Sequence, residues 1–139
     1  MYLRRNVNAS IIALQNYFFA KNLKDRNIKL RSVISWNENS SVDKGWNYGF
    51  RSFYEGVNTY GYQGYFVEKK LSSIDITYNE FKAKTCPEYL LLVGPILKRS
   101  RSEFVKKIKF IQSRAFRFEQ LFFKKFYNKK INNKIIIFL

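Results

Sequence analysis

An α+β fold of the ferredoxin-like βαββαβ type is predicted for residues 64–139: a four-stranded antiparallel sheet with two helices on one face. Residues 1–63 are predicted to form an N-terminal extension, a helix followed by an aromatic, Gly- and Asn-rich loop. Three observations predict this. From residue 65 onward the hydrophobic periodicity runs strand, helix, strand, strand, helix, strand. The two central strands are joined by a short basic connection that reads as a hairpin tip. At 139 residues the chain holds one core and one extension.

Within the extension, residues 9–24 read as a helix. Ile11, Leu14, Phe18 and Leu23 lie near one stripe, Asn8 or Ser10 can cap it, and Lys21 and Lys24 suit its C-terminal end. That stripe fits either docking on the protein's own core or anchoring on a neighbouring protein. Residues 26–36, with Ile28, Leu30, Val33 and Ile34, fit a short strand or an extended arm. Residues 37–64 show no steady period and read as loop. Trp46, Tyr48, Phe50, Phe53, Tyr54, Tyr60, Tyr62 and Tyr65, with Arg51 among them, could stack on unpaired bases or pack against a partner.

The folded part follows. Residues 65–71 read as a strand. A helix is expected over 74–84, capped by Ser72 or Ser73, with Ile74, Tyr78 and Phe81 on one face, and ended by Thr85-Cys86-Pro87. Residues 89–93 (Tyr-Leu-Leu-Leu-Val) form the next strand. Gly94-Pro95 stops it, because Pro95 has no N–H for a ladder. The tip Lys98-Arg99-Ser100-Arg101 leads into a strand over 103–111. There Phe104, Ile108 and Phe110 alternate with Lys107 and Lys109, and Lys106 breaks the period once. Ser113 is expected to cap a helix to about residue 127, with Ala115, Phe118, Phe122 and Phe126 as its stripe. The β-branched run 135–138 suits a last buried strand.

The charge balance decides among function classes. Lys and Arg number 26 against 10 acids, a formal charge of +16. A field of that sign attracts polyanions, nucleic acid first and an anionic membrane surface second. The aromatic content of 19% argues that the charge rides on a folded body. With no His and a single Cys, His-based acid–base chemistry, Cys–His pairs and the common metal sites are excluded. Cys86 reads as a small buried residue before a Pro turn. The acids are scattered, and Gly61-x-x-Gly64 lacks the Lys-Ser/Thr of a phosphate loop, so an enzyme is not expected. Neither a cofactor nor a small-molecule substrate is implied. No apolar run approaches the roughly 18 residues that span a bilayer. The basic, largely acid-free N-terminus resembles an organelle presequence, expected to be retained because Met1 is present. The Lys-, Asn-, Ile-, Phe- and Tyr-rich composition suits an AT-rich, organelle-type genome.

The C-terminal half resembles the small-subunit ribosomal protein S-ten family. Its pattern is a strand ending in Gly-Pro-Ile-Pro, a basic loop, a strand, and a helix opening Ser-Arg-x-x-Phe-Glu. Here Gly94-Pro95-Ile96, Lys98-Arg99-Ser100-Arg101, Glu103-Phe104-Val105 and Ser113-Arg114 follow in that order, with Phe118-Glu119 slightly late, and Leu71-Ser72-Ser73-Ile74-Asp75 lies upstream. The second proline and the family's Ser-Pro-His are missing, and residues 1–63 match nothing in it. The resemblance implies a structural constituent of the small ribosomal subunit, of mitochondrial type and located in the matrix. Its hairpin would meet ribosomal RNA, and its extension would meet neighbouring head proteins. The RNA-binding residues would be Lys98, Arg99, Arg101, Lys106, Lys107, Lys109 and Arg114, neutralising phosphates and releasing counterions. The competing reading is a non-catalytic accessory subunit of a membrane-associated mitochondrial respiratory complex.

Overall fold

The computed structural model describes residues 2–64, 74–94, 107–116 and 137–138. In chain order the elements are α1 (Tyr2–Asp25), β1 (Ser32–Trp36), α2 (Ser41–Phe53), β2 (Asn58–Gln63), α3 (Tyr78–Lys82), β3 (Tyr89–Val93), β4 (Lys109–Ser113) and β5 (Ile137–Phe138). The strands form one sheet in the order β4-β3-β2-β1-β5, and every pairing is parallel.

The mixed helix-and-sheet class is therefore present, but the described strands do not form the predicted antiparallel sheet. β3 and β4 pair in parallel, Tyr89 opposite Lys109 through Val93 opposite Ser113, so they are not the arms of a hairpin. Period-two alternation reports which face a side chain takes and says nothing about strand direction. Parallel neighbours need a crossover connection, which a tight basic tip is not. The predicted strand at 65–71, the tip at 98–101 and the helix stripe at Phe118, Phe122 and Phe126 lie outside the described residues. Ser113 closes β4 and does not cap a helix.

Residues 37–64, read as loop, hold α2 and β2 instead. Ser40 caps α2 in a capping box: its hydroxyl accepts from the Asp43 N–H, and the Asp43 carboxylate accepts from the Ser40 N–H at 2.9 Å. The aromatic residues explain the helix. Trp46, Phe50 and Tyr54, at i, i+4 and i+8, are buried against Ala20 of α1 and Val33 of β1. Gly45 and Gly49 let α1 approach closely. A Cβ at Gly45 would meet the Ala13 carbonyl oxygen, and one at Gly49 would lie 3.0 Å from Ala20 Cβ. The Tyr54 hydroxyl donates to Ile28 O at 3.0 Å, tying the end of α2 to the chain entering β1. Of residues 26–36 only Ser32–Trp36 form a strand, β1, and residues 26–31, with Ile28 and Leu30, lead into it.

A second core lies under β3 and β4, where Ile76, Cys86, Leu90, Leu92 and Ile108 are buried together with Phe81 and Phe110 against them. Helix α3 is one short turn and a half, capped by Thr77 and Glu80 rather than by Ser72 or Ser73. Ile74 is buried but Tyr78 is exposed, so the predicted Ile74–Tyr78–Phe81 face is not one buried stripe. The sheet draws β1 and β2 from the first 63 residues and β3 and β4 from the rest. Among the described residues no helix is long and apolar enough to cross a membrane.

Candidate nucleic-acid interface

Among the described strands, the order leaves β4 at one edge of the sheet. An edge strand offers unpaired backbone groups, and charged side chains are the usual means of keeping such an edge from pairing with other chains. Here those charges are also held in place. Lys109 is exposed and its Nζ lies 5.2 Å from the centre of the Tyr89 ring, one strand inward. Lys107, exposed just before the strand, lies 5.4 Å from the centre of the Tyr78 ring. Each ring attracts its ammonium group electrostatically and narrows the positions it samples, while leaving donors free for an incoming anion.

The Tyr89 ring is itself fixed. It stacks on Tyr60 with centroids 4.9 Å apart and planes 26° from parallel. Tyr60, Tyr89 and Lys109 are register partners across β2, β3 and β4, so they form one cross-strand row on the face opposite Leu90 and Leu92. The third cation, Arg114, is exposed immediately after β4. Its backbone is anchored, because the Tyr62 hydroxyl donates to Arg114 O at 3.3 Å and accepts from the Phe116 N–H at 3.1 Å. The Tyr62 ring packs against Phe116 at 4.5 Å and against Trp36 at 5.5 Å.

Of the seven cations expected to bind RNA, the structure thus places Lys107, Lys109 and Arg114 along one edge. Lys98, Arg99, Arg101 and Lys106 lie outside the described residues. Most of the aromatic residues expected in a base-stacking loop are core instead: Trp46, Phe50, Tyr54 and Tyr62 are buried, and Phe53 packs on Tyr17. Tyr78 and Tyr89, which hold the lysines, were legible only as helix and strand residues. The signal for Tyr89 is cross-strand register and that for Tyr78 is the fold around α3, and a single sequence shows neither.

Cys86 is buried, and that burial pushes its thiol up to about 11 despite the nearby Arg51, so it is a poor nucleophile at neutral pH. Arg51 itself donates to Cys86 O at 2.9 Å and lies over the Phe81 ring. Among the described residues no cluster of His, Cys, Asp or Glu could hold a metal ion. Comparison with known proteins finds no matching family model, no matching curated protein and no matching solved structure.

Proposed function

We propose that this chain is a non-catalytic RNA-binding protein that works as a structural member of a ribonucleoprotein. One observation carries the reading. In a chain of charge +16, exposed Lys107 and Lys109 stand over tyrosine rings at the sheet edge, with exposed Arg114 one strand-length away. Cations spaced along an edge neutralise successive phosphates and release counterions, and this supplies affinity without chemistry. Arg114 adds a planar donor fork suited to phosphate oxygens.

The small subunit of a mitochondrial-type ribosome is the specific assembly we propose, with ribosomal RNA and neighbouring head proteins as partners. It is supported by the order of motifs from Gly94 to Glu119 and by the charge. The parallel pairing of β3 and β4 withdraws the hairpin from that support. Crosslinking in native extract tests both levels. RNA crosslinks mapping to residues 98–114, in the small-subunit sedimentation fraction, are expected. Crosslinks to RNA outside ribosomal fractions would keep the RNA reading and remove the ribosome. No RNA crosslink at all would remove both.

The parallel sheet favours a second reading, a small-ligand-binding α/β domain. In such sheets ligands sit beyond the carboxyl ends of the strands where the strand order reverses, here between β1 and β5. The loop from Asn37 to Ser40 leaves β1 at that point. The Asp43 carboxylate already accepts from the Glu38 and Ser40 N–H groups, so a phosphate is not the ligand this edge would take. Gln63, 1% exposed at the end of β2, has a side-chain oxygen without a partner among the described residues. Its amide nitrogen donates to Asn37 Oδ1 at 3.4 Å, just past the end of β1, and this edge suits a neutral, hydroxyl-bearing ligand. A thermal-shift series with neutral polyols and sugars tests it. Stabilisation lost in Glu38→Ala supports this reading, and no shift removes it.

A further inference from the structure

The two faces of the sheet differ. Val33, Thr59, Gln63, Leu90 and Leu92 are buried on one of them. There Trp46 and Phe50 of α2 join Val33, and Phe81 of α3 joins Leu90 and Leu92. The other face carries rings. Tyr60, Tyr89 and Lys109 form one cross-strand row on it, and Trp36, Tyr62, Leu91 and Ile111 form the next. The rows lie two residues apart along the strands, about 7 Å. Tyr60 and Tyr89 are half-buried, and Ile111 is exposed. Phe116 lies over the second row. Its ring meets Tyr62 at 4.5 Å, and Tyr62 in turn meets Trp36 edge-on at 5.5 Å. The Phe116 N–H donates to the Tyr62 hydroxyl at 3.1 Å, which fixes the backbone that carries the ring. The ring is thus held in place and yet 44% exposed, so its open surface is preorganised for a flat partner.

Charge and shape select that partner. Phe116 stands two residues after exposed Arg114, and the first row ends in exposed Lys109 at the β4 edge. The cations suit phosphates, and the ring suits the face of a base, because every base has a π-face. A base inside a duplex is already stacked on its neighbours and cannot reach the ring. Unpaired bases splay out and stack on aromatic side chains. A second copy of this chain would bring two bodies of charge +16 together over this face.

We infer that this face takes unpaired RNA, with a base stacked on Phe116 and phosphates of the same strand at Arg114 and Lys109. The inference rests on the RNA-binding reading and names the state of the RNA. The test is fluorescence anisotropy of the full chain at moderate salt, with a labelled single-stranded RNA of about 12 nucleotides and the same sequence annealed to its complement. Charge alone favours the duplex, whose phosphates are denser, so a preference for the single strand reports stacking. Phe116→Leu removes the ring and keeps an apolar side chain, while Phe116→Tyr keeps the ring; the urea midpoint checks both folds. The parent is expected to bind the single strand at least about tenfold tighter than the duplex. Phe116→Leu should lose about tenfold on the single strand alone, and Phe116→Tyr should bind as the parent does. Duplex binding equal to or tighter than single-strand binding overturns the inference and leaves the RNA reading standing. Failure to bind either RNA, even at low salt, removes that reading and this inference with it. A Phe116→Leu protein with a lower urea midpoint but parent affinity would assign the ring to the protein's own packing, which also overturns the inference. So does a concentration-dependent dimer lost in that variant, which would give the face to a second copy.

Discussion

Replacing Gly45 by alanine tests the way the N-terminal half packs. An ideal Cβ on Gly45 would overlap Ala13 O and lie 2.5 Å from Ala13 C and 2.6 Å from Ala13 Cα. Carbon atoms in contact prefer about 3.5–4.0 Å, so α1 must retreat by more than about 1 Å. The obstruction is helix backbone, which cannot swing aside as a side chain can. Overpacking of this sort costs about 1–3 kcal/mol or more. Glycine to alanine inside a helix returns up to about 1 kcal/mol through propensity. Retreat of α1 also loosens Ala20 from Trp46 and Phe50, so the net effect is a loss of about 1–3 kcal/mol. Urea unfolding followed by tryptophan fluorescence reads it, and a slope of about 1–3 kcal/mol per molar gives a midpoint lower by about 1 M. Gly49→Ala calibrates the argument: its nearest contacts are at 3.0 Å, so propensity and crowding nearly cancel and a smaller change is expected. A Gly45→Ala protein as stable as the parent, or more stable, would refute the close α1–α2 approach. That is how an exposed helical glycine behaves.

Other perturbations follow from the same geometry. Tyr62→Phe removes the hydroxyl that bridges Arg114 O and the Phe116 N–H, and is expected to cost about 1–2 kcal/mol in urea unfolding; an unchanged midpoint would show that the segment after β4 is not held there. Burial pushes the Glu80 carboxyl up. The hydrogen bonds from Lys44 and from the Thr77 N–H and hydroxyl outweigh that, so it stands below its ordinary value of 4.5. A carboxyl lowered by folding contributes stability that is present above its unfolded value and is lost as pH falls through the folded one. The melting temperature of the parent should therefore exceed that of Glu80→Gln at pH 7, and the gap should close below about pH 4.5; a gap constant from pH 7 to pH 3 contradicts the assignment. The Cys86 thiol should react with a thiol reagent at pH 8 only as fast as the protein unfolds, and rapid reaction of the native protein would refute its burial.

Local signals in the sequence were read correctly where they depend on one face of one element. The helix with Ile11, Leu14 and Phe18, the strand at Tyr89–Val93 and the inert Cys86 all rest on periodicity or burial chemistry that neighbours in sequence display. The predicted α1 stripe divides: Leu23 packs against the protein's own core, while Ile11, Leu14 and Phe18 remain exposed. Strand direction was not legible. Phe110 and Lys109 alternate identically in a parallel and an antiparallel neighbour, and only pairing partners distant in sequence decide between them. Helix α2 was obscured because Gly45, Gly49 and the run of Asn and Ser suggest loop. The glycines are there for the close approach of α1, and Ser40-x-x-Asp43 is the capping signal that could have revealed it. At the candidate interface, the three cations were legible as charge. Their placement over Tyr78 and Tyr89 depends on the cross-strand register and on the fold of α3.

The central claim, that the β4 edge binds RNA phosphates, is tested most directly by the salt dependence of binding to structured RNA. Fluorescence anisotropy is measured from low to moderate salt for the parent and for Lys107→Gln/Lys109→Gln/Arg114→Gln, all exposed side chains. Each phosphate contact contributes about 0.7–0.9 to the slope of log affinity against log salt, so losing three should lower the slope by about 2 and weaken binding more than tenfold at low salt. An unchanged slope with unchanged affinity would place RNA binding elsewhere on the chain. Failure of the parent to bind RNA at low salt would contradict the account outright.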